Sequence, residues 1–508
     1  MKIWLCLMLV IVCKAIEEYG ENLKLEKIGE KDLKAEFRFW SWRESKEKDF
    51  EVFPRILDEL IEEYDIRYLM VIMGQGRWKD EWGMRTQPSS IHGAQVYAVF
   101  GAENEQRADK KLQFLIEALN GILCTSLSQI SLITSPELRV FHHPNQSKNV
   151  YRRYGVLSGE TTCTENLTRL RKLLACRQSG ISTLLHPSKL YDVMYHSSHL
   201  IVQKSLIVEM EVGVTVVVKN TNSEVSTWRL SEVFGKHLNT RCEVAKESKI
   251  EMNSQIYNML NNSEPFDIDL SAQPIHVPET ASLVRAWTSQ GGSDQQNGIL
   301  HLNIQNGDKD SKIEVSQILP YFIQPRYSKI IFKNCQVKRK AMKTTKEEKN
   351  SVLLQYEIDL KSGMKCEISI PFDKKLLRLD DYPPDANHGM NIPAAVIYVI
   401  QSGGNQDDIY TIHTNTILVA LPVPDFSMPF NVICFVATAF ALIFGPLQLY
   451  STMWLAPTRP TSTIWRKINR LILLSLILLC LYAHFMEINL NEVRRGIEKY
   501  LEKLNELR

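Results

Sequence analysis

The run VICFVATAFALIFGPLQL, Val432 to Leu449, constrains the chain most, because no charged residue occurs between Asp425 and Arg459. About 20 helical residues at ~1.5 Å each cover roughly 30 Å, the hydrocarbon thickness of a bilayer. Residues 432–450 are therefore expected to cross a membrane as a helix, with Pro446 kinking it rather than breaking it. A buried core helix is the alternative. Arg459, Arg466, Lys467 and Arg470 follow without an acidic counterpart, so residues 451–470 read as a basic cytosolic flank.

The N-terminal residues agree with that orientation. Lys2, the apolar stretch Ile3 to Val12 and Cys13-Lys14-Ala15 form a secretory signal peptide over residues 1–15, too short to span and followed by Glu17 and Glu18. The expected protein is type I, with most of its mass in an oxidising lumen. A second hydrophobic segment, residues 471–486, covers about 24 Å as a helix and is marginal for crossing. If it spans, the C-terminus returns to the lumen; if it lies in the interface, the tail is cytosolic. In residues 487–508, Leu490, Val493, Ile497, Tyr500, Leu504 and Leu507 repeat at helical spacing, an amphipathic tail.

With 508 residues, 44% hydrophobic, and a net charge of +2, the chain can build two or three domains, and nothing in its charge calls for nucleic acid. Lys338 to Lys349, KRKAMKTTKEEK, reads as a solvated hairpin loop rather than a localisation signal. The fold class is α+β, mostly β, in two lumenal parts. Residues 16–200 form an N-terminal α/β module. Its signals are the alternation of Ala35, Phe37 and Phe39, a helical face of Phe53, Ile56, Leu57, Leu60, Ile61 and Tyr64, strand patterns at Ile66 to Met73 and Gln95 to Phe100, and a second helix through Leu112, Leu115, Ile116, Leu119, Ile122 and Leu123 that ends at Cys124. Residues 201–424 form a β-sandwich region, in which Val352 to Leu360 and Met364 to Ile370 alternate about the turn Lys361-Ser362-Gly363 and are expected to pair as a hairpin.

Six cysteines belong to this lumenal region: Cys124, Cys163, Cys176, Cys242, Cys335 and Cys366. Cys335 and Cys366 are expected to pair as a local staple. The remaining four either pair internally or leave one to bond outside the chain. Asn145, Asn166 and Asn261 begin N-glycosylation sequons. Cys163 lies three positions before one of them, as a staple, a nucleophile or a bond to another protein.

Catalytic and cofactor signals are sparse. Gly74-Gln75-Gly76 continues into Arg77-Trp78-Lys79, without the glycines or Lys-Ser/Thr of a phosphate loop. His196 and His199 lack a third metal ligand nearby and read as loop histidines. A nucleophilic Cys163 would need a histidine base, for which His186, His196 and His199 qualify only by neighbourhood. No metal or cofactor is called for, and no catalytic residue is assigned.

Four stretches taken together resemble a known family: GQGRWKDEWG (Gly74 to Gly83), CTENLTRLRKLLAC (Cys163 to Cys176), YPPDANHG (Tyr382 to Gly389) and ALPVPDFSMPFNVIC (Ala420 to Cys434). In this order they resemble the PIG-T subunits of GPI transamidase over roughly residues 30–450. The last is the most specific, and its prolines also read as a stiff spacer before the span. The resemblance implies a non-catalytic scaffold subunit in the endoplasmic reticulum membrane, where the complex joins a precursor protein to a GPI lipid. It implies a caspase-like catalytic partner joined through a disulfide at Cys163, and other membrane subunits. The continuation from about Thr463 is longer than the family pattern, and Ser289 to Asn306 matches it poorly. A free type I β-sandwich receptor glycoprotein, with Cys163 paired internally, is the alternative, and a thiol hydrolase using Cys163 is the third reading.

Overall fold

The computed structural model describes residues 17–485, apart from 45–49, 128–129, 131–133, 136–137, 139–148, 160–161, 220–227, 262–265, 272, 278–282, 293–295, 345–350, 379–380, 383–387, 402–407, 423–426 and 453–463. The signal-peptide reading, the sequon at Asn145 and the amphipathic tail lie outside the described residues.

Alternating apolar side chains build the first domain. In the strand Asp32–Glu44, Leu33, Ala35, Phe37 and Phe39 are buried on one face, as the period of two requires. This strand sits inside a ten-stranded sheet whose spatial order is Gln255–Asn258, Glu247–Met252, Glu18–Lys27, Asp32–Glu44, Ile207–Lys219, Tyr195–Lys204, Ile66–Gly76, Gly93–Gly101, Val150–Ser158 and Thr134–Ser135. Helices α1 (Arg55–Tyr64), α2 (Glu105–Leu123) and α3 (Thr164–Arg171) contribute Leu57, Ile61, Leu115, Leu119, Leu167 and Leu170 to the large apolar core of this domain. Pro54 caps α1, which ends at Asp65 in the left-handed region. One residue of the sequence pattern departs: Ile56 is 45% exposed, outside the buried stripe of α1.

The expected boundary at residue 200 is corrected by the sheet. Ile207–Lys219 pairs with both Tyr195–Lys204 and Asp32–Glu44, and Glu247–Met252 runs parallel to Glu18–Lys27. Leu270 still packs in the first core, and the His276 amide donates to the Lys27 carbonyl at 2.7 Å. The first domain thus runs on to about residue 276. Periodicity marks a strand but carries no information about which strand it joins.

The sandwich follows. One sheet orders Arg285–Gly291, Asn297–Gln305 and Lys365–Lys374, with Ile323–Pro325 and Ile331–Lys333 both pairing the last of these. The facing sheet orders Gln336–Thr344, Val352–Leu360, Ser311–Leu319, Val396–Gln401 and Asp408–His413. Their inner faces share a core that includes Leu302, Ile313, Tyr356, Ile368 and Val399. Cys335 and Cys366 are disulfide-bonded beside it. The basic stretch expected as a loop begins instead as the edge strand Gln336–Thr344, where Lys338 pairs with Asp359 and Arg339 with Glu357. Charged side chains on an edge strand discourage pairing with other chains.

A smaller apolar cluster joins the domains: Ile91, Tyr154 and Val156 of the first pack with Ile318, Leu353 and Val396 of the second. Around it, Ser316 Oγ and Gln355 Nε2 donate to the Leu138 carbonyl at 2.6 and 2.9 Å. The helix Ser427–Thr452 contains a stretch, Phe430–Thr452, long and apolar enough to cross a membrane. A second helix, Ile464–Phe485, takes up the hydrophobic segment and starts within the basic flank.

Candidate functional site

Cys163 stands at the N-terminal end of α3, exposed and unbonded, and its setting depends on one side chain. Asn166 accepts the Cys163 amide on Oδ1 at 2.7 Å. Its Nδ2 donates to the carbonyls of Leu123 at 3.0 Å and Cys124 at 2.8 Å, at the C-terminal end of α2. A helix start leaves amides without partners and a helix end leaves carbonyls. One carboxamide satisfies both kinds and locks the two helix ends together.

The sequon reading at Asn166 falls on a side chain already in use. Glycosylation would need the Asn166 Nδ2, which is already bonded twice in a side chain that is 3% exposed. Thr168 Oγ1 in turn donates to the Thr164 carbonyl at 2.9 Å. The Asn-Leu-Thr sequence here is a device for ending one helix and starting the next. Asn261 closes the short turn Met259–Asn261.

The segment beyond α3 is held from below. Cys176 and Cys242 form a disulfide 66 residues apart, and both are buried. Beside it the buried Glu21 accepts from the Ile181 amide at 3.0 Å and from Ser248 Oγ at 2.7 Å. A left-handed Gly180 fits there because a Cβ would come within 2.3 Å of Glu21 and 2.8 Å of Cys242. Of the six cysteines, four are therefore bonded in two pairs, and Cys124 and Cys163 are exposed thiols.

Next to Cys163 opens a cleft of about 560 Å³ between the two domains. Thr162 Oγ1 donates to Gln75 Oε1 at 3.0 Å, and Gln75 lines the cleft. The GQGRWKDEWG stretch forms one wall. Gly74 admits no side chain because a Cβ would lie 2.3 Å from the Ile91 carbonyl oxygen, and Gly76 has φ +84° against the Met194 carbonyl. Trp78 donates its indole N–H to the Gly83 carbonyl at 2.9 Å and meets Trp82 and Tyr195 edge-on at 5.4 and 5.1 Å. The opposite wall comes from the sandwich: Arg85 Nη1 donates to the His413 carbonyl at 3.1 Å, and Ser89 Oγ lies 2.8 Å from His413 Nδ1.

Arg77 and Arg85 line this cleft, and no carboxylate is among its described lining residues. Such a surface favours anionic or strongly accepting groups. His196 also lines it, from the central strand Tyr195–Lys204 and not from a loop as expected. His196 is buried, stacks on Tyr191 at 4.6 Å, and has no hydrogen-bond partner for either ring nitrogen among the described residues. Burial pushes it down to about 4 and His413 to about 3, the latter helped by the positive Arg85, so both rings are neutral near neutral pH.

His186, His196 and His199 do not converge. Residues three apart on a strand face opposite sides, so one ion cannot take both His196 and His199. His199 Nε2 lies 3.4 Å from Glu211 Oε1, and His186 Nδ1 lies 2.8 Å from Ser188 Oγ. Among the described residues none of the three is hydrogen-bonded to Cys163. The cleft residues Arg85, Tyr195 and His413 carry no signature of their own in the sequence; the only signal was the GQGRW stretch.

Comparison with known proteins follows the same motifs. A family model described as "Gpi16 subunit, GPI transamidase component" matches residues 3–226 and 218–453. The human GPI-anchor transamidase component PIGT is 25% identical, over 84% of this chain and 88% of its own. The PIG-T homolog of Schizosaccharomyces pombe is 26% identical over 78% and 82%, and GPI16 of Saccharomyces cerevisiae 25% over 86% and 88%. Since the family model takes in most of the chain on both sides of the domain boundary, this protein belongs to the Gpi16 family of GPI transamidase subunits.

Proposed function

We propose that this subunit is a non-catalytic scaffold of the transamidase, disulfide-linked through Cys163 to a caspase-like catalytic chain that carries the reacting residues. The observation that carries the reading is the setting of Cys163: an exposed thiol on a base fixed by Asn166 and by the Cys176–Cys242 bond. A disulfide turns association into an intramolecular contact that dilution cannot dissociate. In this reading the helix Ser427–Thr452 anchors the chain in the endoplasmic reticulum membrane as a type I protein, with both domains in the lumen and other membrane subunits around it. GPI lipid and precursor protein are met through the complex.

The test is a non-reducing gel of the detergent-extracted complex, comparing wild type, Cys163→Ser and Cys124→Ser. A high-mass band present in wild type and Cys124→Ser but absent from Cys163→Ser is the expected result. A band that follows Cys124 instead would move the bond to the other thiol, and monomers throughout would rule out the interchain disulfide. Absence of the native complex after mild detergent extraction would favour the free glycoprotein.

A further inference from the structure

We infer that the groove between α1, α2 and α3 seats a short amphipathic helix of the partner subunit, docked beside the Cys163 bond; this rests on the assignment of Cys163 to that bond. The groove has a volume of about 600 Å³. Its floor is apolar: Ile56 and Leu60 of α1, Ala118 and Ile122 of α2, and Leu173 just after α3. Ile56 is the residue whose position in the α1 pattern calls for burial and which stays 45% exposed.

Three further observations specify the occupant. The walls are of opposite charge: Glu59 and Glu63 stand on the α1 side, Arg169, Lys172 and Arg177 on the α3 side. No ion pair crosses between these walls among the described residues, although Glu59 pairs along its own helix with Arg55. The gap keeps the two walls apart, and a helix with basic residues on one flank and acidic residues on the other would complete both. Gly121 is the second. It sits inside α2, where glycine costs stability relative to alanine, and a Cβ there would have nothing within 4 Å. No contact among the described residues requires a glycine at that point. Together with Ala118 three residues earlier it makes a low spot on the helix surface, which lets another helix approach to the short end of the 8–10 Å packing range. The third is continuity: α3 forms one wall, and Cys163 stands at the other end of that same helix. A chain bonded at Cys163 has to run only about 12 Å, the length of eight helical residues, to reach the groove.

The experiment uses the full chain co-expressed with the other transamidase subunits and extracted in mild detergent. Two quantities are read for each variant: the interchain disulfide band on a non-reducing gel, and the partner retained after the disulfide has been reduced. Gly121→Trp fills the groove, since the space around a Cβ there is open. Its expected result is at least a ten-fold loss of partner retained after reduction, with no fall in the thermal midpoint of the isolated full-length chain. Arg169→Glu combined with Lys172→Glu is expected to lose at least five-fold. Wild-type retention by both variants overturns the inference while leaving the Cys163 assignment intact. Absence of the interchain band from wild type overturns the Cys163 assignment and this inference with it. Retention of a second copy of this chain, in place of the partner, also overturns it.

Discussion

The first domain spreads ten strands into one sheet and covers it with helices, whereas the sandwich closes two five-stranded sheets on each other. In the sandwich the inner faces of the two sheets share one apolar core. In the first domain the helices and the segments between them hold together through side chain to backbone bonds, at Asn166, Glu21 and Lys111, whose Nζ donates to the Gly101 carbonyl at 2.6 Å. Cys124 and Cys163, the docking groove and most of the wall around the cleft fall in that less regular region. Function gathers where side chains do the work that a strand ladder does elsewhere, because those positions are free to present a group outward.

Each domain nevertheless buries one neutral histidine at the cleft, His196 in the first and His413 in the second, and pH puts the largest strain on the comparison. Both are held below the ordinary value of 6.5, at about 4 and about 3. An unfolded chain takes up these protons as the pH falls through 6.5, while the folded chain refuses them until near 4. Their contribution is therefore complete above pH 6.5 and lost as the pH falls. Each histidine should give a slope of about 1.4 kcal/mol per pH unit across that window, and together roughly 5 kcal/mol between pH 6.5 and 4.5. Thermal midpoints from pH 7 to 4.5 check this. His196→Phe, which keeps the stack on Tyr191, and His413→Asn should each remove about half of the slope. If one substitution removes all of it, the acid sensitivity belongs to a single domain.

The two disulfides give the next largest effect. They close loops of 66 and 31 residues, so the chain-entropy account assigns about 4.3 kcal/mol to Cys176–Cys242 and about 3.7 kcal/mol to Cys335–Cys366. Urea unfolding of the Cys176→Ser/Cys242→Ser and Cys335→Ser/Cys366→Ser pairs measures both. Near-equal stability losses are expected, but only the first pair should also reduce the interchain band at Cys163. The buried asparagines separate the domains more cleanly. Asn306 does for the sandwich turn what Asn166 does for the helix junction: its Nδ2 donates to the carbonyls of Lys309, Leu360 and Lys361 at 2.7, 2.8 and 3.1 Å. Either one changed to Ala should cost about 2–3 kcal/mol by stranding buried backbone groups. Loss of the interchain band in Asn166→Ala but not in Asn306→Ala would tie the thiol's setting to its cap; equal bands would detach it.

The sandwich is more legible in the sequence than the first domain, for a physical reason. Val352 to Leu360 alternates so regularly that the strand follows from side-chain period alone. The hairpin expected about Lys361-Ser362-Gly363 is corrected, however. Val352–Leu360 pairs with Ser311–Leu319 and Gln336–Thr344, whereas Lys365–Lys374 pairs with Asn297–Gln305 in the facing sheet, so the turn crosses between sheets. Cys335 and Cys366 can be paired because each flanks a strand that the pattern already draws. In the first domain the helices through Leu57 and Leu115 are readable for the same reason, yet the boundary at residue 200 is not, because strand pairing between segments so far apart in the chain leaves no local trace. Asn166 reads as a glycan acceptor since its three-residue signature is identical whether the side chain is exposed or used as a cap. His196 reads as a loop residue because Tyr-His-Ser-Ser-His is polar, while the structure buries it in a central strand. The cleft escapes notice because its walls come from segments 328 residues apart, joined only by contacts such as Arg85 to His413.

Two glycines give the smallest effect and the finest distinction. Gly121 in α2 and Gly363 in the sandwich turn both have nothing within 4 Å of a Cβ, so an alanine meets no obstacle at either place. Backbone conformation decides the sign. Gly121 is helical, and alanine there should add about 0.5–1 kcal/mol by restricting the unfolded chain and favouring the helix. Gly363 has φ +69°, where an L side chain crowds its own backbone, and alanine should cost about 1 kcal/mol. Urea titrations of Gly121→Ala and Gly363→Ala should thus shift the midpoint in opposite directions. A loss at Gly121 would mean that its helix needs flexibility within this chain. A gain leaves its glycine without any internal justification, and the cost it carries is then explained only by what lies against that face.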